Sequence, residues 1–126
     1  MKRILLQGTS NTPEVSFDEK TGVLEIKGVS RFDDAMYFYD ELVSKIAFLL
    51  LKKQIKQVHF CFVYFDSLSS RKLIKIFDSL GNSNQHLEIM WNYQEDDAGY
   101  LEDGQFFQEL CEEKKYNLEF KFIKII

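Results

Sequence analysis

The segment Tyr64-Phe65-Asp66-Ser67-Leu68-Ser69-Ser70-Arg71-Lys72 sets three serine hydroxyls beside a carboxylate and a guanidinium, where an apolar run gives way to a helical pattern. A serine hydroxyl can accept a phosphoryl group, which brings almost two negative charges and three strong acceptor oxygens. At a helix start, a phosphate on Ser67 or Ser69 meets unpaired N–H groups and the positive end of the helix dipole. Arg71 can add a charge-assisted contact, and Asp66 opposes it by repulsion. The same residues also have a plainer use. Asp and Ser are common helix caps, so Asp66, Ser67 and Ser69 can simply satisfy helix-terminal donors. Composition and spacing leave both readings open.

The remaining reactive side chains are less well organised. Glu95, Asp96, Asp97, Glu102 and Asp103 are hard oxygen ligands of the type that suits Mg²⁺ or Ca²⁺. Their order is not that of a calcium loop, and acids near a helix start are favourable in themselves, so no metal is expected. A partner-facing acidic patch is the alternative reading. His59 and His86 stand 27 positions apart on separate predicted strands, and no nucleophile, base and orienting group can be assembled around either. Cys61 lies in an apolar run and Cys111 in a helical pattern. Neither has the close partner of a zinc site or redox pair, so both are expected to be reduced, inert and largely buried. No cofactor is implied, and an enzyme is disfavoured.

Composition narrows the partner class. A formal charge of −4, with 16 Lys and Arg interspersed among 20 Asp and Glu, gives no basic field for nucleic acid or an anionic membrane. Met1 to Gln7 lack the apolar core of a signal peptide, and no window of ≥ 18 apolar residues could span a bilayer. A cytoplasmic location is the expectation, with a protein as partner. The length of 126 residues fits one domain, residues 1–126, large enough to bury a core without staples. With 12 Phe and 6 Tyr, that core is expected to be aromatic.

The elements that position the corner follow from periodicity. Glu14–Phe17 and Val23–Gly28 read as a hairpin joined through Gly22, which can take a positive φ. From Asp34 to about Lys52, apolar residues at three- and four-residue spacing (among them Phe38, Tyr39, Leu42, Val43, Ile46 and Leu49) form one helical stripe, with Asp33 or Asp34 as its cap. The run Val58–Phe65 is apolar at both parities, which predicts a central strand covered on both faces. A helix follows from about Ser69 to Leu80, burying Leu73, Ile76, Phe77 and Leu80. Leu87, Ile89, Trp91 and Tyr93 alternate as a strand, a third helix uses Leu101, Phe106, Phe107 and Leu110, and Leu118–Ile125 is the last strand. The order β-β-α-β-α-β-α-β predicts an α/β fold, a single mixed sheet whose later strands are mostly parallel, joined by right-handed crossovers.

The chain resembles the SiaC family of bacterial regulatory phosphoproteins, formerly a domain of unknown function. The resemblance is carried in order by Gly8-Thr9 through Thr12-Pro13, Phe17-Asp18 through Gly22, Leu24-Glu25-Ile26-Lys27-Gly28, the Tyr64-to-Lys72 corner, and Trp91 with the acidic run after Tyr93. It implies the anti-sigma-factor antagonist (STAS-like) fold and partner switching. In that scheme a cognate serine/threonine kinase phosphorylates a corner hydroxyl and a PP2C-like phosphatase removes the phosphate. The unmodified form, in the best-known branch, binds and activates a diguanylate cyclase.

The family corner resembles Asn-Thr-Ser-Ser, so the resemblance makes Ser67 the phosphorylated position and matches Asp66, Leu68 and Ser69 to the residues around it. Ser70 and Arg71 follow as further candidates for holding the phosphate or a partner. Two departures stand out: Asp66 puts a carboxylate beside the acceptor, and Leu68 removes a hydroxyl. A constitutive protein-binding module that is never phosphorylated is the alternative.

Overall fold

The computed structural model describes residues 2–125, with the backbone alone described at residues 32–36, 67 and 68. Among the described residues the chain forms strands β1 (Lys2–Leu6), β2 (Glu14–Asp18) and β3 (Val23–Ser30), helix α1 (Phe32–Leu51), β4 (Gln57–Phe65), α2 (Ser67–Gly81), β5 (Leu87–Gln94), α3 (Ala98–Glu113) and β6 (Leu118–Ile125). The predicted alternation is present, with one strand more than expected. β1 was hidden by its charged residues Lys2 and Arg3, and it pairs antiparallel with β2 at the sheet edge, where charge is tolerated.

The six strands lie in the sheet in chain order, β1 to β6. β2 pairs antiparallel with both β1 and β3; β3 to β6 run parallel. Parallel strands laid down in one direction by right-handed crossovers place every connecting helix on the same face. The burial of β4 fits this: Val58, Phe60 and Phe62 are buried, whereas His59 and Cys61 between them are half-exposed. The expectation that this strand is covered on both faces is therefore corrected.

The second face is a wet one, crossed in register by Glu25, His59, Met90 and Lys121. Polar pairs run over it, from Gln57 Nε2 to Glu88 Oε1 at 2.8 Å and from Lys2 Nζ to Glu25 Oε1 at 3.3 Å. An exposed pair such as Lys2–Glu25 contributes little to stability but keeps that face solvated.

The covered face holds an aromatic core. Phe60 lies 5.2 Å from Phe77 and 5.5 Å from Trp91, and Trp91 stacks on Tyr100 at 4.6 Å, all between ring centres. The Trp91 indole N–H donates to the Tyr100 carbonyl at 3.0 Å. α2 buries the row predicted for it, Leu73, Ile76, Phe77 and Leu80.

Of the row predicted for it, α3 fully buries Phe107 alone; Leu101 and Leu110 are half-buried. Its buried residues are Tyr100, Gly104, Phe107 and Cys111, while Phe106 is 54% exposed. The indole fixes this rotation, since a Cβ on Gly104 would stand 2.6 Å from Trp91 Cδ1. No described helix is long and apolar enough to cross a membrane.

Two glycines set the path of β3. Gly22 turns the hairpin with φ +74°, and Gly28 takes φ +122° at a bulge. There the register passes from Gly28↔Phe62 to Val29↔Tyr64, leaving Val63 as the extra residue. A bulge bends a strand and re-aims its side chains. Val63 is 78% exposed and Tyr64 46% exposed, so the end of β4 turns two apolar residues outward before Phe65 returns to the core.

Candidate functional site

The β4–α2 corner starts from strand pairing. β3 and β4 stay paired, past the bulge, to Ser30↔Phe65, and the Asp66 N–H extends the pairing by donating to the Ser30 carbonyl at 3.3 Å. Asp66 then leaves the sheet with extended backbone, φ −88° and ψ 171°, and caps α2. Its Oδ1 accepts the Ser69 N–H at 2.8 Å, and its carbonyl accepts the Ser70 N–H at 3.2 Å. Asp is favoured here because its carboxylate satisfies a donor the helix cannot, at the positive end of the dipole. α2 thus begins at Ser67, two residues before the start read from periodicity. Ser67 is its first residue; the side chains of Ser67 and Leu68, both named as site candidates, lie outside the described residues.

Ser69 is fully buried. Its hydroxyl donates to the Ser30 carbonyl at 3.3 Å and accepts from the Ser30 hydroxyl at 2.9 Å. With that proton committed, the Ser30 oxygen accepts from the Tyr39 hydroxyl at 2.8 Å. Burial pushes the Tyr39 phenol well above its ordinary value, so it remains a donor. The relay Tyr39 to Ser30 to Ser69 joins α1, the end of β3 and the first turn of α2. Ser69 therefore supports the corner from inside, and the expectation that it could meet a partner or carry the phosphate itself is corrected by its burial. Ser70 is half-buried and Arg71 exposed, one turn into the helix.

Arg31, which lies outside the Tyr64-to-Lys72 segment, stands at the same corner beside Tyr64. Arg31 is the N-cap residue of α1, makes no side-chain cap bond, and holds its guanidinium 4.9 Å from the centre of the Tyr64 ring. The available signal was the transition from a strand ending at Ser30 into a helix, which mirrors the Phe65-to-Ser67 transition on the neighbouring strand.

The other candidate groups are not brought together. Asp97 caps α3 by accepting the Tyr100 N–H at 3.0 Å, and Glu95 lies 3.6 Å from Lys124. Burial, then the neighbouring Asp97 and Glu102 charges, raise the Asp103 carboxyl above its usual range. Among the described residues, no group of three or more His, Cys, Asp and Glu is placed to hold a metal. The His59 ring contacts Gln57 Oε1 at 3.0 Å and is held below its ordinary value by burial, whereas His86 lies beside Asn117 on another strand end. Cys61 is half-buried and Cys111 buried, both unpaired; burial pushes each thiol up to about 11.

A cup of about 550 Å³ opens on the wet face where β4 and β5 part after Phe60↔Trp91. There the Tyr100 hydroxyl takes up the freed edge of β4, donating to the Phe60 carbonyl at 3.4 Å and accepting the Phe62 N–H at 3.3 Å. The acids lining the cup are already engaged: Glu14 lies 3.8 Å from Lys27 Nζ, and Asp97 is the α3 cap.

A family model, SiaC family regulatory phosphoprotein, matches residues 6–125. No curated protein sequence gives a significant match. Among solved structures, apo-SiaC from Pseudomonas aeruginosa is 20% identical with a TM-score of 0.76, covering 96% of this chain and 98% of that one. A second structure of SiaC of Pseudomonas aeruginosa is also 20% identical, with a TM-score of 0.75 over 95% and 98% of the two chains. A chain from the complex of the diguanylate cyclase SiaD with its activator SiaC, from the same organism, is 18% identical with a TM-score of 0.79, covering 95% and 98%. These likenesses establish the fold, a mixed α/β sheet of the SiaC and STAS-like kind.

Proposed function

Because the chain belongs to the SiaC family of regulatory phosphoproteins, we propose that it is a non-enzymatic signalling phosphoprotein, one regulatory domain over residues 1–126, acting in the cytoplasm by partner switching. A cognate serine/threonine kinase phosphorylates Ser67, and a PP2C-like phosphatase resets it. The unmodified form binds a diguanylate cyclase and thereby controls cyclic di-GMP. SiaC of Pseudomonas aeruginosa is the activator of the diguanylate cyclase SiaD, which supports that class of output.

The observation that carries the acceptor assignment is position: Ser67 directly follows the capping Asp66 and opens α2. A phosphate there adds almost two charges next to a carboxylate that already holds the Ser69 N–H. Two anions then compete for the same helix-terminal donors, and the corner changes shape and charge together. Ser69 and Asp66 fix where the helix starts; Leu68, Ser70 and Arg71 border the acceptor and meet the phosphate or the partner. The test is incubation with the cognate kinase and ATP, read by intact mass and phosphopeptide mapping. A single phosphate on Ser67 is expected, and modification elsewhere with Ser67 untouched overturns the assignment.

One observation favours a second reading, a constitutive binding module. Asp66 puts a negative charge at the corner before any modification, so a partner can read that charge permanently. Partner binding that is the same for Ser67→Ala, Ser67→Asp and the wild type would select this reading.

A further inference from the structure

This inference rests on Ser67 being the acceptor. We propose that Arg31 is the side chain that holds a phosphate on Ser67, reaching it from the neighbouring strand and not along the helix. β3 and β4 remain paired to Ser30↔Phe65, and the Asp66 N–H bond to the Ser30 carbonyl carries the pairing one step on. Arg31 and Asp66 therefore leave the sheet side by side, each as the N-cap residue of its helix, and Ser67 is the next residue along.

Adjacent strands are separated by about 4.8 Å. The arm of Arg31 already crosses that gap, because its guanidinium lies 4.9 Å from the centre of the Tyr64 ring on β4. Its stem is fixed by its own N–H, which donates to the Asn11 carbonyl at 2.8 Å. The side chain is exposed and forms no ion pair among the described residues. An exposed cation over a ring is a weak contact. A planar guanidinium against phosphate oxygens forms two parallel, charge-assisted hydrogen bonds, and that stronger pairing displaces the first.

Arg71 cannot do the same mechanical work. It sits on α2 itself, four residues after Ser67, so its contact moves with the helix. A bond from Arg31 instead ties the start of α2 to the junction of β3 and α1, which is how a modification at one corner would fix two helices relative to each other. The exposed Tyr64 ring that Arg31 now covers would be uncovered in the same step, giving a partner a different surface in the two states.

The chain has three arginines, Arg3, Arg31 and Arg71, so a side-chain Nε–Hε NMR spectrum carries three signals, each assigned by an Arg→Lys substitution. Phosphoserine installed at position 67 of the full chain during translation removes any dependence on the kinase. The expected result is that the Arg31 signal moves downfield and is protected from solvent exchange, while the Arg3 signal stays in place. In Arg31→Gln, the phosphorus resonance should shift toward that of a free phosphoserine peptide, with a dispersed backbone amide spectrum showing that the fold is intact. An Arg31 signal unmoved by the phosphate, or movement of Arg71 alone, overturns the proposal. A kinase that modifies a different residue overturns the acceptor assignment instead and leaves the spectroscopic result standing.

Discussion

Ser30 and Ser69, 39 residues apart in the chain, share a hydroxyl hydrogen bond of 2.9 Å in the protein interior. Through it the last residue of β3 and the first turn of α2 are one joint, with Tyr39 of α1 as the third member. The corner that carries the acceptor is thus built on a satisfied polar relay, and this distinguishes the serines from one another.

Ser69→Ala removes the acceptor of the Ser30 hydroxyl and should cost about 1–3 kcal/mol, the usual penalty for stranding a buried polar group. Ser69→Asp places a charge in the same closed site and should unfold the protein or lower its midpoint far more. Ser67→Asp, with an acid in the first turn of a helix, should keep the fold. Urea denaturation of the three variants checks the order. A stable Ser69→Asp would show that the site opens readily.

Asp66→Ala should destabilise by about 1 kcal/mol, because the Ser69 N–H loses its cap. Asp66→Asn keeps an oxygen for that amide and should lose only a few tenths of that, while removing the charge beside Ser67. If the two anions compete as proposed, Asp66→Asn is also phosphorylated faster. Thermal melts and a kinase time course read the two effects separately.

Gly104→Ala and Gly99→Ala should move stability in opposite directions. Both replace a helical glycine, worth about 1 kcal/mol in propensity in a helix interior and less at Gly99 in the first turn of α3. At Gly99 the nearest described atom to a new Cβ is Asp97 Oδ1 at 3.8 Å, so the gain should appear. At Gly104 the Cβ meets the Trp91 indole at 2.6 Å, and overpacking of about 1–3 kcal/mol should win. The near-UV circular dichroism of Trp91 should change only in Gly104→Ala.

Asp78 predicts the acid limb of the stability curve. Burial alone would raise its carboxyl, but hydrogen bonds from Lys114 and Tyr116 outweigh this and hold it below the ordinary 3.8. A carboxyl depressed in the folded state contributes stability that is complete above 3.8 and is lost as pH falls toward the folded value. Asp78→Asn should therefore be less stable than wild type at neutral pH, with the difference shrinking under acid. A gap that stays constant down to pH about 2 would remove Asp78 from the linkage.

Where the sequence was legible, one local rule decided the outcome. Leu73, Ile76, Phe77 and Leu80 are spaced for a single buried stripe, and α2 buries them; Leu118–Ile125 alternates and is β6. Three features escaped because a distant residue decides them. Gly104 looks like a helix breaker until the Trp91 indole is known to lie on it. Val63 and Tyr64 look like strand core, and the bulge at Val63, opposite Gly28 of the neighbouring strand, turns them out. At the corner, the capping chemistry of Asp66 was readable, but the burial of Ser69 depends on Ser30, and Arg31 becomes relevant only once β3 and β4 lie in register.

The strand order has a bearing on how the molecule is assembled. Since each strand is added next to the one synthesised before it, a growing chain can extend the sheet from its existing edge, and no late segment has to be threaded between two completed neighbours. Synthesis and sheet growth then proceed in the same direction, and each βα unit finds its docking surface already in place when it leaves the ribosome.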